Sequence, residues 1–418
     1  MLRPLDYVLK KLIVRGHLEY IAPDGKTHEY GNPSAKTVVV RIKDRASERR
    51  IALNPGLNVG EAFVDGSLTV EQGTIYDLLE VLLQDLNPHE WPRWTRIIED
   101  FRYLTRWIAQ YNPAPRAKRN IAHHYDIDGA IYDLFLDSDR QYSCAYFETP
   151  ESSLEEAQLA KKRHLAAKLD LHEGQKVLDI GSGWGGLALY LAQSAHVDVT
   201  GITLSEEQLK VSRERAEKSG LARSVNFELI DYRALEGKFD RIVSVGMFEH
   251  VGVNHYRAFF RKICKLLADD GVAVIHSIGR FDGPGTTNQF IAKYIFPGGY
   301  IPALSEVFPA IERERLISTD VEILRLHYAM TLRHWRQRFR ASWHILSERF
   351  GEKFCRIWEF YLAGSETAFR YQGLMVFQIQ LSKNQESLPL TRDYIFDTER
   401  ELRGTPSQTL RQPAGTAK

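Results

Sequence analysis

Cysteine is scarce in this chain, and neither sign of charge dominates. The three cysteines, Cys144, Cys264 and Cys355, are odd in number and lack metal-ligand spacing. The sequence therefore predicts neither a disulfide framework nor a metal site, and it favours a reducing, cytoplasmic setting. Lysine and arginine total 55 against 54 aspartates and glutamates, a net charge of +1. This balance argues against a dedicated nucleic-acid-binding protein, while local basic patches stay compatible with it.

Long hydrophobic runs are also lacking. No window approaches the roughly 18 uncharged apolar residues that a membrane span requires. The first segment, MLRPLDYVLKKLIVRGHLEY, has no continuous apolar stretch of the kind found in signal peptides. Leu5, Val8, Leu9, Leu12 and Ile13 instead recur at helical spacing, which predicts an amphipathic helix.

The 418 residues, 44% of them hydrophobic, are enough for more than one domain. We predict an α+β domain over residues 1–115, a larger α/β domain over 116–390 and a polar tail over 391–418 with little to bury. In the first domain, the strand-like runs TVVVRI and RRIAL are broken by NPG and VDGS and followed by a helical pattern, IYDLLEVLLQDL. The proline-containing segment YNPAPRAKRN is the expected junction.

The second domain alternates apolar runs with helical patterns. The runs are QKVLDIG, HVDVTGITL, SVNFELI, FDRIVSVGM and GVAVIHSIG. Such alternation is typical of a parallel sheet with crossover helices. The predicted fold class is α/β, with a Rossmann-like nucleotide-binding domain beside the smaller α+β domain.

The stretch VLDIGSGWGG poses the question of which nucleotide is bound. Gly181, Gly183 and Gly186 match the dinucleotide pattern GxGxxG, whereas Gly181, Gly183 and Gly185 match the GxGxG turn of S-adenosylmethionine enzymes. The glycines fit either ligand. Asp179 favours S-adenosylmethionine, because a carboxylate at the end of the first strand would repel a pyrophosphate and attract a cation.

The ends of the next two strands offer further candidate ligands for the cofactor. Thr203 and Gln208 could donate or accept hydrogen bonds there, although the segment from Ser205 to Gln208 also fits an N-terminal capping box, and capping is the safer role for Gln208 on the residues alone. Asp231 and Tyr232 could hold an adenine by a carboxylate and a ring, or simply end a strand.

Several separated stretches together resemble one family, the cyclopropane-fatty-acyl-phospholipid synthases and their mycolic-acid relatives. In order across residues 123 to 335 they are HHYDIDGAIYDLFLDSDRQYSCAYF, VLDIGSGWGG, GITLSEEQ, SVGMFEHVG, IHSIGR, YIFPGGYIP and LHYAMTLRHW. Their co-occurrence is far more specific than one glycine motif. The N-terminal 110 residues resemble the family only weakly, through NPGLNVGEAFVDGSLTVE.

This resemblance implies transfer of a methyl carbon from S-adenosylmethionine to a cis double bond of a phospholipid acyl chain. A carbocation results, and a bound bicarbonate removes its proton so that a cyclopropane ring closes. The residues implied in catalysis are Cys144, Glu249, His276, Ile278 and Tyr328. Those expected at the cofactor are Tyr142, Ser143, Asp179, Gly181, Gly183, Gly185, Thr203, Leu204, Gln208, Asp231 and Tyr232. Taken singly, each catalytic candidate favours a structural role, but their joint occurrence inside the family motifs favours an active site.

The expected partner is an unsaturated phospholipid, met by peripheral association with the inner face of a membrane, with a homodimer as one compatible assembly and no nucleic acid. The N-terminal domain is expected to contact the lipid. The segment RLHYAMTLRHWRQRFRASW interleaves arginines with aromatic residues, which suits an anionic bilayer surface as well as an ordinary solvated helix. Three other functions stay open: a methyl- or methylene-branching lipid methyltransferase, a non-catalytic lipid carrier, and a nicotinamide-dependent oxidoreductase.

Overall fold

A computed structural model describes residues 4–86, 100–106, 110 and 129–404 of the chain. The predicted junction YNPAPRAKRN, the start of the first family-like stretch (HHYDID) and the last residues of the predicted tail lie outside these ranges. The described residues form two sheets, one of four strands and one of seven. No described helix is long and apolar enough to cross a bilayer.

The smaller sheet lies in the N-terminal part and has the strand order β2-β1-β3-β4. Its strands are β1 (His17–Ile21), β2 (Thr27–Gly31), β3 (Thr37–Ile42) and β4 (Leu68–Gln72). The accompanying helices are α1 (Pro4–Leu12), α2 (Arg45–Leu53), α3 (Pro55–Asp65) and α4 (Ile75–Leu83). The amphipathic helix predicted at the start of the chain is confirmed as α1, which buries Leu5, Val8 and Leu9.

The prediction of a strand at RRIAL is wrong, because these residues end helix α2. Asp44 precedes the helix and its carboxylate accepts a hydrogen bond from the Ser47 backbone N–H at 2.8 Å. This cap satisfies one of the free N–H groups of the first turn. Ile51 and Ala52 are buried, and so short an apolar run has the same appearance in a strand and in a helix.

The larger sheet has the order β10-β11-β9-β8-β5-β6-β7. Its strands are β5 (Lys176–Ile180), β6 (Asp198–Thr203), β7 (Val225–Leu229), β8 (Phe239–Val245), β9 (Leu267–Arg280), β10 (Ile317–Leu324) and β11 (Leu374–Ser382). Strands β5 to β9 coincide with the five predicted runs and are mutually parallel. Strands β10 and β11 were not predicted, and β11 runs antiparallel to both of its neighbours.

Helices cover this sheet and connect it to the N-terminal part. They are α5 (Ala130–Phe135), α6 (Leu154–Leu169), α7 (Gly186–Ala195), α8 (Glu206–Lys218), α9 (Tyr256–Leu266), α10 (Gln289–Tyr294), α11 (Leu304–Arg313), α12 (His327–Ala341), α13 (Trp343–Phe350), α14 (Glu352–Tyr371) and α15 (Asp393–Gly404). Ala363 of α14 belongs to the N-terminal hydrophobic core. The two parts are therefore packed together, and the domain boundary at residue 115 stays a prediction.

The segment beyond Pro389 buries more than its composition indicates. Ile395 of α15 is buried, and Glu399 lies 2.5 Å from the Nδ1 atom of buried His164 on α6. The expectation that the whole tail has little to bury is thus wrong for residues 393–404. Of the apolar residues Tyr394, Ile395, Phe396 and Leu402 in this charged helix only Ile395 is buried, and so irregular a signal did not predict the packing.

Helix α12 does not present the mixed basic and aromatic face considered from the sequence. Tyr328, Trp335 and Phe339 are buried in the core around the larger sheet, at the i, i+7 and i+11 spacing of a core stripe. The arginines between them form ion pairs with glutamates, as Arg336 does with Glu366 at 3.0 Å. Burial of its rings against the core leaves this helix without an aromatic surface for a bilayer.

Candidate active site

A pocket opens at the carboxyl ends of strands β5 to β8. From β5 the chain continues to β6 and β7 on one side, and it then returns to β8 on the other side of β5. Open α/β sheets bind ligands at the point where the strand order reverses in this way. All of the residues predicted for the cofactor line this pocket except Gly185. The site is thus assembled from segments that are distant in the sequence.

Asp179 provides the acidic group at the end of β5. The residue is 2% exposed, and its Oδ2 atom has no hydrogen-bond partner among the described residues. Burial raises the pKa of Asp179 to about 7, against a lowering effect of the nearby Lys161 ammonium. A buried carboxylate oxygen without a partner, facing a pocket, fits the ammonium or sulfonium of a cationic ligand.

Gly183 and Gly185, both in the turn after strand β5, have different roles. Gly183 has a φ of 54° and open space where a Cβ would lie, and it lines the pocket. Gly185 has a φ of 84°, and a Cβ there would come within 2.7 Å of the Phe227 ring. Gly185 does not line the pocket, and the closeness of Phe227 indicates a packing role for this glycine between helix α7 and strand β7, so its place at the cofactor stays a prediction.

The end of β6 combines helix capping with the pocket wall. The Ser205 hydroxyl accepts a hydrogen bond from the Gln208 backbone N–H at 3.3 Å, as in a helix N-cap. The Gln208 side chain, however, accepts a hydrogen bond from the Thr203 hydroxyl at 2.8 Å and lines the pocket with Thr203 and Leu204. Capping is performed by Ser205, while the side chain of Gln208 belongs to the pocket.

The end of β7 adds a carboxylate that already has a partner. Arg233 donates two side-chain hydrogen bonds to Asp231, at 2.8 and 2.5 Å. Burial raises the pKa of Asp231, but these bonds outweigh it and keep the pKa low. Tyr232 packs edge-on against Phe259 at 5.4 Å between ring centroids. Asp231 is held ionised beside the pocket.

A second buried carboxylate, Glu249, lies after strand β8. Strand β8 ends at Val245, which pairs with His276 of β9. Ile278 of β9 therefore lies beyond the end of β8, and its backbone N–H has no partner on that strand. That N–H donates to the Oε1 atom of Glu249 at 2.7 Å, while Oε2 has no partner among the described residues. Burial raises the pKa of Glu249 to about 7 despite this hydrogen bond.

His276 and Cys144 are both held as neutral groups. The Nδ1 atom of His276 lies 3.1 Å from the amide nitrogen of Gln378, and burial lowers the pKa of His276 to about 3. Burial raises the pKa of the Cys144 thiol, which donates to the Ala145 carbonyl at 3.3 Å. A thiol with a raised pKa is a poor nucleophile, so a role for Cys144 would rest on its backbone.

Aromatic contacts connect the cofactor pocket with Tyr328. Tyr142 lines the pocket, and its hydroxyl is 3.0 Å from that of Tyr361. The rings of Tyr142 and Tyr328 both contact Trp335, with centroids 5.1 and 5.8 Å away. Phe369 completes this wall 4.8 Å from Tyr328. A buried cluster of packed aromatic rings therefore borders the pocket.

The predicted catalytic residues are only partly joined by direct contacts. Glu249 is bonded to Ile278, and the Ala145 N–H next to Cys144 donates to Thr331, which lies on the same helix as Tyr328. No hydrogen bond among the described residues joins these two pairs. A common anion site formed by all five residues stays a prediction.

Comparison with known proteins decides the family. A family model described as mycolic acid cyclopropane synthetase matches residues 113–379. The chain belongs to this family. A cyclopropane-fatty-acyl-phospholipid synthase of Escherichia coli is 34% identical to this member over 83% of the chain and 88% of the relative. A probable fatty acid methyltransferase of Pseudomonas putida is 42% identical over 66% of the chain and 73% of the relative.

Solved structures of the cyclopropane synthetase family give the same result. The cyclopropane synthase MmaA2 from Mycobacterium tuberculosis has a TM-score of 0.62 and 31% identity, covering 65% of this chain and 99% of its own. The mycolic acid cyclopropane synthase CmaA1, complexed with SAH and CTAB, has a TM-score of 0.61 and 32% identity over 65% of this chain and 98% of its own. The protein is thus an S-adenosylmethionine-dependent methyltransferase with the predicted Rossmann-like fold, and the family assignment is confirmed.

Several residues of this methyltransferase site were not predicted. Trp184 and His250 line the pocket, and the buried Lys161 donates hydrogen bonds to two pocket residues, Gln141 and Ser143. Trp184 stands inside the glycine motif and His250 beside Glu249, so their positions were the available signal. Lys161 lies in the ordinary helical sequence EEAQLAKKRHLAAKL and offered none.

Proposed function

We propose that this enzyme transfers the methyl carbon of S-adenosylmethionine to a cis double bond of a phospholipid acyl chain and closes a cyclopropane ring. The observation that supports this most is the combination of a pocket lined by the residues expected at the cofactor with a buried carboxylate, Glu249, one oxygen of which has no hydrogen-bond partner among the described residues. Asp179 meets the positive charge of the cofactor, and Gly183 leaves space for it. When bound, the cofactor supplies an electrophilic methyl group.

The residues of this chain then align and shield the reacting alkene. An alkene is a weak neutral nucleophile, so alignment and exclusion of water carry most of the catalysis. Tyr142, Tyr328 and Phe369 belong to one buried aromatic wall beside the pocket. Their ring faces also suit the carbocation that methyl transfer leaves on the acyl chain.

Removal of the proton is assigned to the surroundings of Glu249. Its free Oε2 atom fits an acceptor for the O–H of a bicarbonate, and the Ile278 N–H fixes the orientation of the carboxylate. The bicarbonate would supply the base at this position. Cys144, His276 and Tyr328 complete the proposed anion site through a backbone group, a neutral imidazole and a hydroxyl.

Peripheral contact with the inner face of a membrane gives access to the lipid. Phe101 and Leu104 of the helical segment 100–106 and Phe281 after β9 are each more than two-thirds exposed. Arg102 donates to the Thr287 carbonyl at 2.6 Å, which fastens this segment beside the loop after β9. The variants L104S and F281S are each expected to reduce sedimentation of the protein with phospholipid vesicles while leaving its affinity for S-adenosylmethionine unchanged.

Expression in a host without cyclopropane lipids tests the product directly. Mass analysis of the fatty acids should show a gain of one methylene unit on unsaturated phospholipid chains, with a ring distinguished from a branch by fragmentation. Unchanged fatty acids from a folded, cofactor-binding enzyme would overturn the proposal. The non-catalytic lipid carrier would be supported if the purified protein showed no affinity for S-adenosylmethionine.

The second candidate product is a methyl- or methylene-branched chain. It is favoured by the 42% identical relative named a probable fatty acid methyltransferase and by a tuberculostearic acid methyltransferase of Mycobacterium tuberculosis, 33% identical over 89% of each chain. Ring closure and branching share one cation and differ in the position from which the proton leaves. The same fatty-acid analysis separates the two outcomes.

A further inference from the structure

Lys161 is a buried lysine behind the wall of the cofactor pocket. It is 1% exposed on helix α6, and its ammonium donates hydrogen bonds to Gln141 Oε1 at 2.5 Å and to Ser143 Oγ at 2.9 Å. Both acceptors belong to residues that line the pocket. Lys161 itself does not line it, so any effect on the ligand passes through its neighbours.

The backbone of the same wall is held from the same helix. Gln158, one turn before Lys161, donates its amide to the carbonyls of Gln141 and Ser143 at 3.1 and 3.0 Å. The hydrogen bonds from the Gln158 side chain to these two main-chain carbonyls therefore hold the wall in place without Lys161. A cation at Lys161 adds charge to a segment that Gln158 already places.

Charged and titratable groups face Lys161 from each element packed around it. Lys162 follows on the same helix, Asp137, Asp139 and Cys144 lie on the preceding segment, and Asp179 and His276 lie on strands β5 and β9. Asp139 is engaged by Lys162 at 2.6 Å and by Arg215. For Asp179, the acidic group of the pocket, Lys161 is the charged neighbour that favours its ionised form.

We propose that Lys161 is a positioning residue of the cofactor site: its ammonium orients the side chains of Gln141 and Ser143 at the pocket wall. This inference rests on the proposed binding of S-adenosylmethionine in the pocket. It goes further by assigning a positioning task to a side chain that does not touch the ligand.

The charge of Lys161 gives its effect a pH dependence. Burial lowers the pKa of Lys161 to about 8, so its ammonium is lost above that pH and no longer donates to the wall as a cation. The α-amino group of S-adenosylmethionine titrates in the same range, at about 7.7–8.0. The unmodified protein should therefore lose affinity on the alkaline side for both reasons, and only the part due to Lys161 should disappear in a variant.

The test is calorimetric titration of the full-length protein with S-adenosylmethionine at pH 7 and at pH 9. K161M should bind about tenfold more weakly at pH 7, because Gln141 and Ser143 lose a charged hydrogen-bond donor. K161R should keep the affinity at pH 7 and lose less of it than the unmodified protein between pH 7 and pH 9, because arginine stays protonated throughout. K162M, which removes the adjacent buried ammonium from Asp139, is the matched control and should keep the wild-type profile.

The outcomes separate the possibilities. A K161M protein with a lower melting temperature but an unchanged affinity at pH 7 would show a structural lysine and overturn the inference. The same holds for a K161R protein whose affinity falls between pH 7 and pH 9 as steeply as that of the unmodified protein, and this variant decides the matter if K161M does not fold. Failure of the unmodified protein to bind S-adenosylmethionine would instead overturn the proposed function itself.

Discussion

Asp179 and Glu249 are two buried carboxylates at the ends of adjacent strands, β5 and β8, and they differ in what surrounds them. Each has one oxygen without a partner among the described residues, and burial raises the pKa of each to about 7. Asp179 lines the pocket and has Lys161 nearby. Glu249 has no such cation acting on it, and its bonded oxygen accepts a backbone N–H from Ile278.

The comparison teaches that similar proton affinities support different tasks. A carboxylate that faces a pocket and is favoured in its charged form by a lysine suits the binding of a cation. A carboxylate fixed by one backbone N–H, with no cation to hold it ionised, suits transfer or orientation of a proton. The neighbouring groups therefore distinguish Asp179 from Glu249, although burial raises the pKa of both carboxylates to a similar value.

The largest expected effect comes from E249Q. Glutamine keeps the shape of the side chain but is a weaker acceptor than a carboxylate, so turnover should fall by ~10²- to 10⁴-fold, the usual range for loss of general-base assistance. Affinity for S-adenosylmethionine should stay within about twofold, because neither carboxylate is among the groups that shift the pKa of the other. Product analysis and calorimetry on the same preparation check both halves. Full turnover by this variant would end the distinction between the two carboxylates.

D179N should show the complementary pattern. Loss of a charge-assisted contact typically removes about 1.5–3 kcal/mol, which corresponds to an affinity for S-adenosylmethionine weaker by ~10- to 100-fold. Turnover at saturating cofactor should be much less affected. Calorimetric titration and rates at several cofactor concentrations separate KM from kcat. An equal fall of kcat with unchanged KM would contradict the assignment of Asp179 to binding.

The two glycines sharpen the boundary of the pocket. In G183V the added side chain enters open space at the ligand side, so cofactor affinity should fall and the free energy of unfolding should drop by only about 1–2 kcal/mol for the left-handed backbone. In G185A the Cβ meets Phe227, so stability should fall further and affinity less. Chemical denaturation and calorimetry of the pair are the measurements. Equal loss of affinity in both variants would argue that Gly185 contacts the ligand after all.

The smallest effect concerns stability in the absence of cofactor. A carboxyl group whose pKa is raised by folding contributes stability at acidic pH, and this contribution is lost as the pH rises through the folded value, about 7 for Asp179 and Glu249. Either D179N or E249Q should therefore stabilise the free protein by about 1 kcal/mol at pH 8 and flatten its pH dependence. Melting curves from pH 5 to 8 test this. Destabilisation by both variants at pH 8 would mean that the charges are already compensated in the fold.

Local patterns were sufficient for the parts of the fold that depend on local periodicity. Strands β5 to β9 and helix α1 follow from their apolar spacing, and the glycine turn with Asp179 indicated the cofactor pocket. The strand at LMVFQIQLS was missed because a fully buried run reads the same in a strand and in a buried helix segment.

Other parts depend on distant contacts that no short pattern contains. Trp335 and Arg336 resemble a docking surface until their partners in the core and at Glu366 are known. Lys161 became significant only through the Gln141 and Ser143 side chains that it touches. The sequence does not distinguish a buried lysine from an exposed one.

The place of strand β11 has a consequence for how the chain acquires its activity during synthesis. Residues Leu374–Ser382 insert between β9 and β10, and Gln378 pairs there with His276. Until this late segment leaves the ribosome, β9 has one unpaired edge and His276 lacks its amide partner. The four strands of the N-terminal sheet, complete by Gln72, emerge long before. We therefore expect a nascent chain whose first sheet is formed while the methyltransferase sheet still requires protection from aggregation at that open edge.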